Sequence, residues 1–402
     1  MYQEGNTMKK RSNGEGTICK RSDGRWMGQV TLHEDYGQSK RKTVYGKSQR
    51  EVREKMEIIK MEKRQGRALE TSDMPLEEWM FMWLSDYKPN LKITTRENYE
   101  LYIHTHIKDS QIGKIPLNKL TVTDLQKFYN AKLNGTCENR RQKLSATTVR
   151  YINIIIKSAL KQAVNNRMLN ENVCDRVVLP KKNKVDIVPF TKKEVIRFLN
   201  VAQNDRLHTL YILEMMTGLR RGEILGLKWE DIDFEQKKIN VLHNLYKVNN
   251  TDENADSKYK LVLLTPKTET SKRSIPMNQF MTDELVRHRK EQEKEKATCK
   301  GGYNDLGMVF CKEDGNYISP REFLRQYQRL LEKAGLEKKR FHDLRHTVAS
   351  LLINANENPK VVQQLLGHSN IGTTLDIYAH VMRETIDQSV DNLCSQLELD
   401  KA

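Results

Sequence analysis

The sequence predicts a multidomain fold that is mainly α-helical and carries small β elements. The chain has 402 residues, which is enough for two or three domains with separate hydrophobic cores. Hydrophobic residues make up 37% of it and charged residues 30%, a balance typical of a soluble, helix-rich protein. Composition and pattern change twice along the chain, so we divide it into segments 1–70, 71–180 and 185–402.

Segment 1–70 has the pattern of a three-stranded antiparallel sheet followed by one helix. Turns around Gly24 and Gly37 separate three short runs of β-forming residues. These runs are residues 16–21, 25–32 and 40–45. The residues of the following helix that recur at helical spacing are Val52, Met56, Ile59 and Lys63. The segment holds 17 Lys/Arg and 10 Asp/Glu, so we favour a DNA-binding sheet over the alternative, a basic solvated sheet.

Segment 71–180 has the pattern of four amphipathic helices. Pro75 suits the first turn of the first helix, and a second helix begins after Thr94. Thr123 is the predicted N-cap of the third helix and Ser145 that of the fourth. The apolar faces consist of Leu76, Trp79, Met80 and Trp83 in the first helix and of Val149, Ile152, Ile156, Ala159, Leu160 and Ala163 in the fourth. We therefore predict a compact helical bundle, in which the two tryptophans belong to the core.

The basic stretch 180–184 is interpreted as a linker into segment 185–402. Its lysines suit either a DNA backbone or solvent. From Phe190 the pattern is mostly helical, with a β-rich insertion from about residue 237 to 276. Within this insertion we predict a β-hairpin. Its two arms are residues 259–267 and 272–277.

The charge balance favours a polyanionic partner such as nucleic acid. The chain carries 69 Lys+Arg against 53 Asp+Glu, a formal net charge of +16, although a generally basic soluble protein is the alternative. No stretch approaches 18 consecutive apolar residues, and the N-terminus lacks the apolar core of a secretory signal. The six cysteines form no CxxC pair, so we expect reduced thiols in a cytoplasm and no zinc site.

The string Thr217-Gly-Leu-Arg-Arg-Gly-Glu places Arg220 in a turn between two helices. Gly218 ends the first helix, and Gly222 and Glu223 belong to the beginning of the second. A guanidinium in such a turn offers several fixed donors that match phosphate oxygens. Arg220 is therefore a candidate phosphate ligand. A pairing with Glu223 or a position on the surface is the alternative.

The string Phe341-His-Asp-Leu-Arg-His-Thr347 places His342 and Arg345 three residues apart. On a helix the two side chains share one face, whereas we expect His346 to point elsewhere. A His–Arg pair suits an anionic oxygen, because the arginine supplies charge and the histidine moves a proton.

Three further residues are candidates for the same chemistry. Lys267 lies near the turn of the predicted hairpin, which also contains Lys272 and Arg273, and a solvated lysine is the usual alternative there. Gly367 ends a helix and leaves His368 at its terminus. Ten residues later Tyr378 lies on a helix that we expect Thr373 or Thr374 to cap, where a packing role is the usual alternative.

These motifs occur in an order that resembles the tyrosine recombinases, also called the lambda-integrase family. The strings are Thr-Gly-Leu-Arg, His-Asp-Leu-Arg-His-Thr, Leu-Leu-Gly-His-Ser and Ile-Tyr-Ala-His, and the match runs from about residue 190 to 385. The two upstream segments are similar to those of integrases of conjugative transposons and temperate phages. The resemblance implies an arm-type DNA-binding domain at 1–70, a helical core-binding domain at 71–180, and a mixed α+β catalytic domain of tyrosine-recombinase type with a tail helix at 185–402.

The resemblance also implies a mechanism. Tyr378 attacks the scissile phosphate and forms a 3′-phosphotyrosyl bond, which conserves the bond energy, so rejoining needs neither ATP nor a metal. Lys267 protonates the leaving 5′-oxygen, and His342 takes the tyrosine proton. The two arginines hold the non-bridging oxygens, and the second histidine donates a further hydrogen bond. The implied catalytic set is Arg220, Lys267, His342, Arg345, His368 and Tyr378.

The function implied is integration and excision of a mobile element through a Holliday junction. The expected partners are double-stranded DNA with core and arm sites, a tetramer of the chain on that DNA, and an excisionase and a host DNA-bending protein as accessories. No cofactor and no membrane is expected, and the location is the bacterial cytoplasm, with the nucleoid. The tail residues that repeat at helical spacing are Ile386, Val390, Leu393 and Leu397. Their face packs on its own subunit or on a neighbour, and the resemblance favours the neighbour.

Two other functions compete with an integrase. One is a non-catalytic DNA-binding regulator with the same fold, against which the intact Tyr378, Arg220 and Arg345 argue. The other is a type IB topoisomerase, which shares the tyrosine chemistry. The small N-terminal domain argues against it.

Overall fold

The structure is a computed structural model of the chain. It describes residues 16–35, 38–64, 73–136, 143–182, 188–250, 257–265, 272–299, 301–372 and 374–375. Contacts between residues divide the chain into two units, Met1–Lys184 and Val185–Ala402. The described residues form mostly helices with short antiparallel strands, which confirms the predicted fold class. No helix among them is long and apolar enough to cross a membrane.

The first unit begins with an antiparallel sheet and a helix, as predicted. The sheet has the order β1 (Thr17–Lys20), β2 (Trp26–Asp35), β3 (Gln38–Gly46), and it is followed by α1 (Gln49–Arg64). The buried side chains between them are Val30, Val52, Met56 and Ile59. Gly28 allows this contact, because a Cβ there would lie 2.4 Å from the Met56 Sδ atom.

A helical bundle completes the first unit. It consists of α2 (Leu76–Asp86), α3 (Ile93–Tyr102) with a π-helical turn (Ile103–Ile107), α4 (Val122–Asn134) and α5 (Ala146–Asn165). Trp79 and Trp83 are buried in its core, and the Trp79 indole donates to the Ala159 carbonyl at 2.9 Å.

The helix caps of the bundle match the prediction at one site and correct it at another. Ser145 caps α5 as predicted, since its hydroxyl accepts the Thr148 N–H. The prediction of Thr123 as the α4 cap was wrong. Thr121 is the cap, because only that position lets the side chain accept the Asp124 N–H while Asp124 accepts the Thr121 N–H in return.

The second unit is built from helices around a small β region. The described helices are α6 (Lys192–Ala202), α7 (His208–Thr217), α8 (Arg221–Leu225), α9 (Gln279–Thr298), α10 (Pro320–Lys333), α11 (Phe341–Asn354) and α12 (Pro359–Leu366). The described strands are β4 (Ile232–Asp233), β5 (Lys238–Val241), β6 (Asn244–Asn249), β7 (Tyr259–Leu264) and β8 (Arg273–Pro276).

The predicted hairpin of residues 259–277 was wrong, because its two arms belong to different sheets. Strand β7 pairs with β6, whereas β8 pairs with β5 in the sheet β4-β5-β8. The pairing of β8 with β5 sets Ile275 opposite Ile239, and both are buried in the core of the unit. Burial of this cross-strand pair explains why the arms separate.

An aromatic cluster holds together the helices that carry the functional motifs. Phe198 of α6, Tyr211 of α7, Tyr327 of α10 and Phe341 of α11 are all buried. Phe198 and Tyr211 have ring centroids 5.2 Å apart, and Tyr327 and Phe341 have theirs 5.4 Å apart. This packing fixes the C-terminus of α7 beside the first turns of α11.

Candidate active site

The turn between α7 and α8 presents Arg220. Gly218 ends α7 with φ +59°, and a Cβ at this position would lie 2.4 Å from Leu366 Cδ2, so the turn requires glycine twice over. Arg220 is the N-cap of α8, and its Nη1 atom donates to Glu223 Oε1 at 2.7 Å. Its Nη2 atom donates to the Gly367 carbonyl at 2.7 Å. The arginine is therefore held on two sides, with one third of its side chain exposed.

Arg345 lies beneath this turn. It is 2% exposed on α11 and donates to the Gly218 carbonyl at 2.5 Å and to the Leu366 carbonyl at 2.6 Å. Burial and the charge of Arg220 lower the pKa of Arg345, although a guanidinium remains charged at neutral pH. Two cations thus share one pocket, which favours an anion between them.

His342 lies on the face of α11 that Arg345 occupies, as predicted. Although the side chain keeps access to solvent, the surrounding protein removes enough hydration to lower the pKa of His342 to about 4, and His346 and Arg345 add to this effect. The ring is therefore neutral at pH 7. The expectation that His346 points elsewhere was wrong, because its ring packs edge-on against His342 with centroids 4.9 Å apart. Residues four apart on a helix are neighbours.

His368 follows α12 directly. Gly367 ends the helix with φ +67°, and the His368 Nδ1 atom lies 2.9 Å from the Thr374 hydroxyl. Thr374 is buried and makes this side-chain bond, so it fixes the imidazole. Burial, followed by the charges of Arg345 and Arg220, lowers the pKa of His368 to about 3. The ring is neutral and able to donate from a nitrogen at pH 7.

The structure brings four of the six predicted site residues together. Arg220, His342, Arg345 and His368 interact electrostatically with one another across one cleft. Lys267, Tyr378 and the tail residues 386–397 lie outside the described residues. Within the described part of the chain, no group of three His, Cys, Asp or Glu side chains is placed to hold a metal ion.

The sequence reasoning missed two residues of this cluster. Glu223 was considered only as an alternative partner of Arg220, yet it is 2% exposed and bonds two arginines. The second of them is Arg273, whose Nη2 atom lies 3.1 Å from Glu223 Oε2 and whose Nε atom donates to the Leu365 carbonyl at 2.8 Å. The position of Glu223, three residues after a helix cap, was a usable signal. No local signal marked Arg273.

Comparisons with known proteins identify the family to which the chain belongs. The sequence model of the phage integrase family matches residues 189–385, and that of the phage integrase N-terminal SAM-like domain matches residues 76–133. A tyrosine recombinase XerC-like protein of Caldanaerobacter subterraneus is 33% identical over 90% of this chain and 94% of its own length. The chain belongs to the tyrosine recombinase family. The resemblance predicted from the four motifs is thus confirmed, and the recombinase belongs to the class of site-specific DNA recombinases.

Two further proteins resemble the recombinase. The ICEBs1 integrase of Bacillus subtilis is 26% identical over 77% of this chain and 81% of its own length. Among solved structures, that of the Tn1549 transposon integrase in complex with transposon right end DNA has a TM-score of 0.65 and 25% identity. It covers 80% of this chain and is itself covered completely.

Tyr327, the tyrosine that precedes Tyr378 in the sequence of the recombinase, is unsuited to act as a nucleophile. It is fully buried among Phe198, Tyr211 and Phe341. Burial raises the pKa of its phenol above the ordinary value, and its hydroxyl makes no hydrogen bond within the described structure. A phenol in this environment neither ionises readily nor reaches a DNA phosphate.

Proposed function

We propose that this chain is an integrase that cuts and rejoins DNA at specific sites, and so integrates and excises a mobile element such as a conjugative transposon or prophage. The observation that carries the proposal is the convergence of Arg220 and Arg345 with two neutral histidines in one cleft. Two fixed guanidiniums suit the non-bridging oxygens of one phosphate. The likeness to the ICEBs1 integrase and to a transposon integrase supports the mobile element.

In the proposed cleavage step, Tyr378 Oη forms a bond to phosphorus as the bond from phosphorus to the 5′-oxygen breaks. His342 accepts the tyrosine proton, and Lys267 gives a proton to the leaving oxygen. Arg220 and Arg345 offset the charge that develops on the phosphate, and the remaining histidine of the set donates to it. Religation reverses these transfers, and two rounds of exchange pass through a Holliday junction.

The low pKa of His342 fits the role of a base that is free to accept. A histidine that was already protonated at pH 7 could not take the tyrosine proton. A phosphodiester bound between Arg220 and Arg345 adds a negative charge to the cleft, which raises the pKa of His342 toward its ordinary value. The base therefore becomes stronger when the substrate arrives.

A basic groove beside the cleft supports DNA binding. Arg321, Arg325 and Arg329 repeat every four residues along α10 and are all exposed. They line a groove together with Arg221 and Lys247, and Arg221 directly follows the proposed phosphate ligand Arg220. A row of cations at this spacing suits the phosphates of a duplex whose cleaved position lies in the cleft.

The first unit supplies the remaining DNA contacts of the proposal. The sheet segment, 1–70, is the arm-type domain, and its exposed cations include Lys20, Arg21 and Arg25. The bundle, 71–180, is the core-binding domain, and the SAM-like family model supports this assignment. A tetramer on DNA, an excisionase, a host DNA-bending protein and association with the nucleoid complete the proposal.

Covalent trapping on a nicked suicide substrate tests the proposed function. The nick lets the leaving strand diffuse away, so the wild type accumulates a covalent DNA adduct. Tyr378→Phe forms none, because it lacks the nucleophilic oxygen. Tyr327→Phe is the matched control, since it removes a buried hydroxyl and keeps the adduct.

Each of the other outcomes indicates a different function or a different nucleophile. A wild type that binds DNA without an adduct is a non-catalytic regulator. An adduct that persists in Tyr378→Phe moves the nucleophile to another residue. Relaxation of supercoiled plasmid without a specific site identifies a topoisomerase.

A further inference from the structure

The C-terminus of α12 is held by three arginines from three separate elements. Arg273 of β8 donates to the Leu365 carbonyl at 2.8 Å, Arg345 of α11 to the Leu366 carbonyl at 2.6 Å, and Arg220 to the Gly367 carbonyl at 2.7 Å. The last carbonyls of a helix lack partners within the helix and carry its negative end. Three successive carbonyls therefore hold three cations close together, immediately before His368.

Arg273 is the member of this trio that has no role in the proposed chemistry. Its side chain is 7% exposed, and its Nη1 atom would lie 3.0 Å from a Cβ added at Gly367, so the guanidinium packs against the turn that leads to His368. It is also the first residue of β8, where it pairs with Val241 of the sheet. The residue is thus fixed at both its backbone and its guanidinium.

Arg273 also shares a carboxylate with Arg220. Glu223 Oε1 accepts from Arg220 at 2.7 Å, and Glu223 Oε2 accepts from Arg273 at 3.1 Å. Burial alone would raise the pKa of Glu223, but Arg273 and Arg220 outweigh burial and hold the pKa below its ordinary value. A carboxylate balanced by two cations neutralises each of them only in part.

The loss of Arg273 has two consequences for the cleft. Glu223 would lose one of the two arginines bonded to it, so more of the Arg220 charge would be neutralised by Glu223 and less would be available to a phosphate. The Leu365 carbonyl would lose its partner, and the turn that sets the position of His368 would be freer to move. Both consequences act through other residues rather than on the DNA itself.

We propose that Arg273 is a positioning residue for strand cleavage, which holds Glu223 and the end of α12 in the places from which Arg220 and His368 act on the phosphate. This inference rests on the proposed function. It also connects two parts of the site, because Arg273 follows the proposed general acid Lys267 by six residues in the chain. The strand that begins at Arg273 is thereby tied to the helix end that precedes His368.

The test uses the full chain and a nicked suicide substrate at saturating protein. The single-turnover rate of adduct formation and the dissociation constant for the same DNA are measured for the wild type and each variant. Arg273→Gln should lower the rate by about 100-fold, the scale on which small misplacements act, and leave the dissociation constant unchanged. Arg273→Lys keeps the charge, but an ammonium cannot bond the Leu365 carbonyl and the Glu223 carboxylate with the fixed geometry of a guanidinium. Its rate should therefore lie between those of the wild type and Arg273→Gln.

Arg206→Gln provides a matched control elsewhere in the same unit. Arg206 makes two bonds to Glu295, at 2.7 and 2.6 Å, and one to the Cys311 carbonyl at 2.5 Å. It therefore copies the arginine–glutamate–carbonyl arrangement outside the cleft. This variant should unfold at a lower temperature and cleave at the wild-type rate. Guanidinium chloride, well below denaturing concentrations, should restore part of the rate that Arg273→Ala loses and should leave the rate of the control unchanged.

The outcomes separate the inference from the proposed function. If the wild type forms no adduct, the proposed function fails and the inference falls with it. If the wild type cleaves and Arg273→Gln cleaves within about threefold of it, only the inference is overturned. It is equally overturned if both glutamine variants lose rate in proportion to their loss of thermal stability. Should Arg273→Gln not fold, an Arg273→Lys variant with the full wild-type rate overturns the inference as well.

Discussion

Glu214 and Glu223 are nine residues apart and both buried, but their pKa values shift in opposite directions. Glu214 is 1% exposed, and neither of its carboxyl oxygens has a hydrogen-bond partner in the described structure. Burial raises the pKa of Glu214 well above its ordinary value, although Arg345 opposes the effect. Glu223 is 2% exposed but bonds two arginines, and its pKa is lowered. At neutral pH Glu214 is therefore a protonated carboxylic acid, whereas Glu223 is a charged carboxylate.

The contrast shows that arginines bonded directly to the carboxylate decide which carboxyl ionises. The charge of Arg273 is the largest influence that lowers the pKa of Glu223, and hydrogen bonds add to it. Arg345 is near enough to Glu214 to oppose the rise in its pKa, but it donates to the Gly218 and Leu366 carbonyls instead. A buried charge needs bonded partners to offset lost hydration. Of the two glutamates, Glu223 therefore carries a negative charge and Glu214 does not, so Glu214 takes no positive charge of the arginines away from a phosphate.

Removing the charge of Glu223 should have the largest effect. Glu223→Gln removes a buried carboxylate that bonds both Arg220 and Arg273, which should lower the free energy of unfolding by about 3 to 5 kcal/mol. Equilibrium unfolding in urea at pH 7.5 measures this loss. The matched control is Glu295→Gln, which removes the partner of the less buried Arg206 and should cost less. An equal loss in the two variants would contradict the distinct role of Glu223.

The next effect concerns the turn that separates the two glutamates. Gly218 has φ +59°, and its N–H donates to the Glu214 carbonyl at 2.7 Å. Gly218→Ala introduces a Cβ 2.4 Å from Leu366 Cδ2 in a strained conformation, which should cost about 2 kcal/mol of unfolding free energy. Thermal or urea unfolding checks the value. Gly301→Ala is the control and should be neutral, since no atom of the described residues, its chain neighbours aside, lies within 4 Å of the added Cβ.

The sequence could predict the site where residue type and helix spacing suffice. The spacing of His342 and Arg345 and the glycine ends of α7 and α12 are local properties, and the structure reproduces them. The strand that pairs with β8 could not be predicted from local sequence, because the choice between β5 and β7 depended on burial of Ile275 against Ile239. The wrong hairpin also concealed Arg273, whose contacts come from elements 50 and 92 residues away in the chain.

The glutamates show the same limit. Nothing in the string around Glu214 distinguishes it from a surface glutamate on an amphipathic helix. Its burial follows from the packing of α7 between α9 and α11, which only the fold determines. The sequence alone therefore could not predict which of the two carboxyl groups is ionised; the three-dimensional structure was needed.

Glu214→Gln should have a smaller effect that depends on pH. Because the folded-state pKa of Glu214 is raised, the unfolded chain releases its proton first as pH increases. The contribution of Glu214 to wild-type stability is therefore complete below the unfolded pKa of about 4.3 and is lost as pH rises from there. The variant lacks this dependence, so its stability relative to that of the wild type should increase from pH 5 to pH 8. Urea unfolding at both pH values measures the free energy of unfolding of each protein. If that free energy changes with pH equally in the wild type and in the variant, Glu214 is not a neutral acid in the folded chain.

The two histidines of the cleft should give the smallest effect, with the opposite sign. The folded-state pKa values of His342 and His368 are about 4 and about 3, whereas the unfolded chain titrates near 6.5. Their contribution to stability is complete above about pH 6.5 and is lost as pH falls toward these folded values, because the unfolded chain takes up protons first.

The free energy of unfolding of His368→Gln should therefore decrease less between pH 7 and pH 5 than that of the wild type. Arg220, which helps to keep Glu223 ionised, also helps to keep these histidines neutral, so Arg220→Gln should likewise reduce the loss of stability in acid. If Arg220→Gln leaves the slope unchanged, the arginine charges do not reach the histidines, and the cleft does not act as one electrostatic unit.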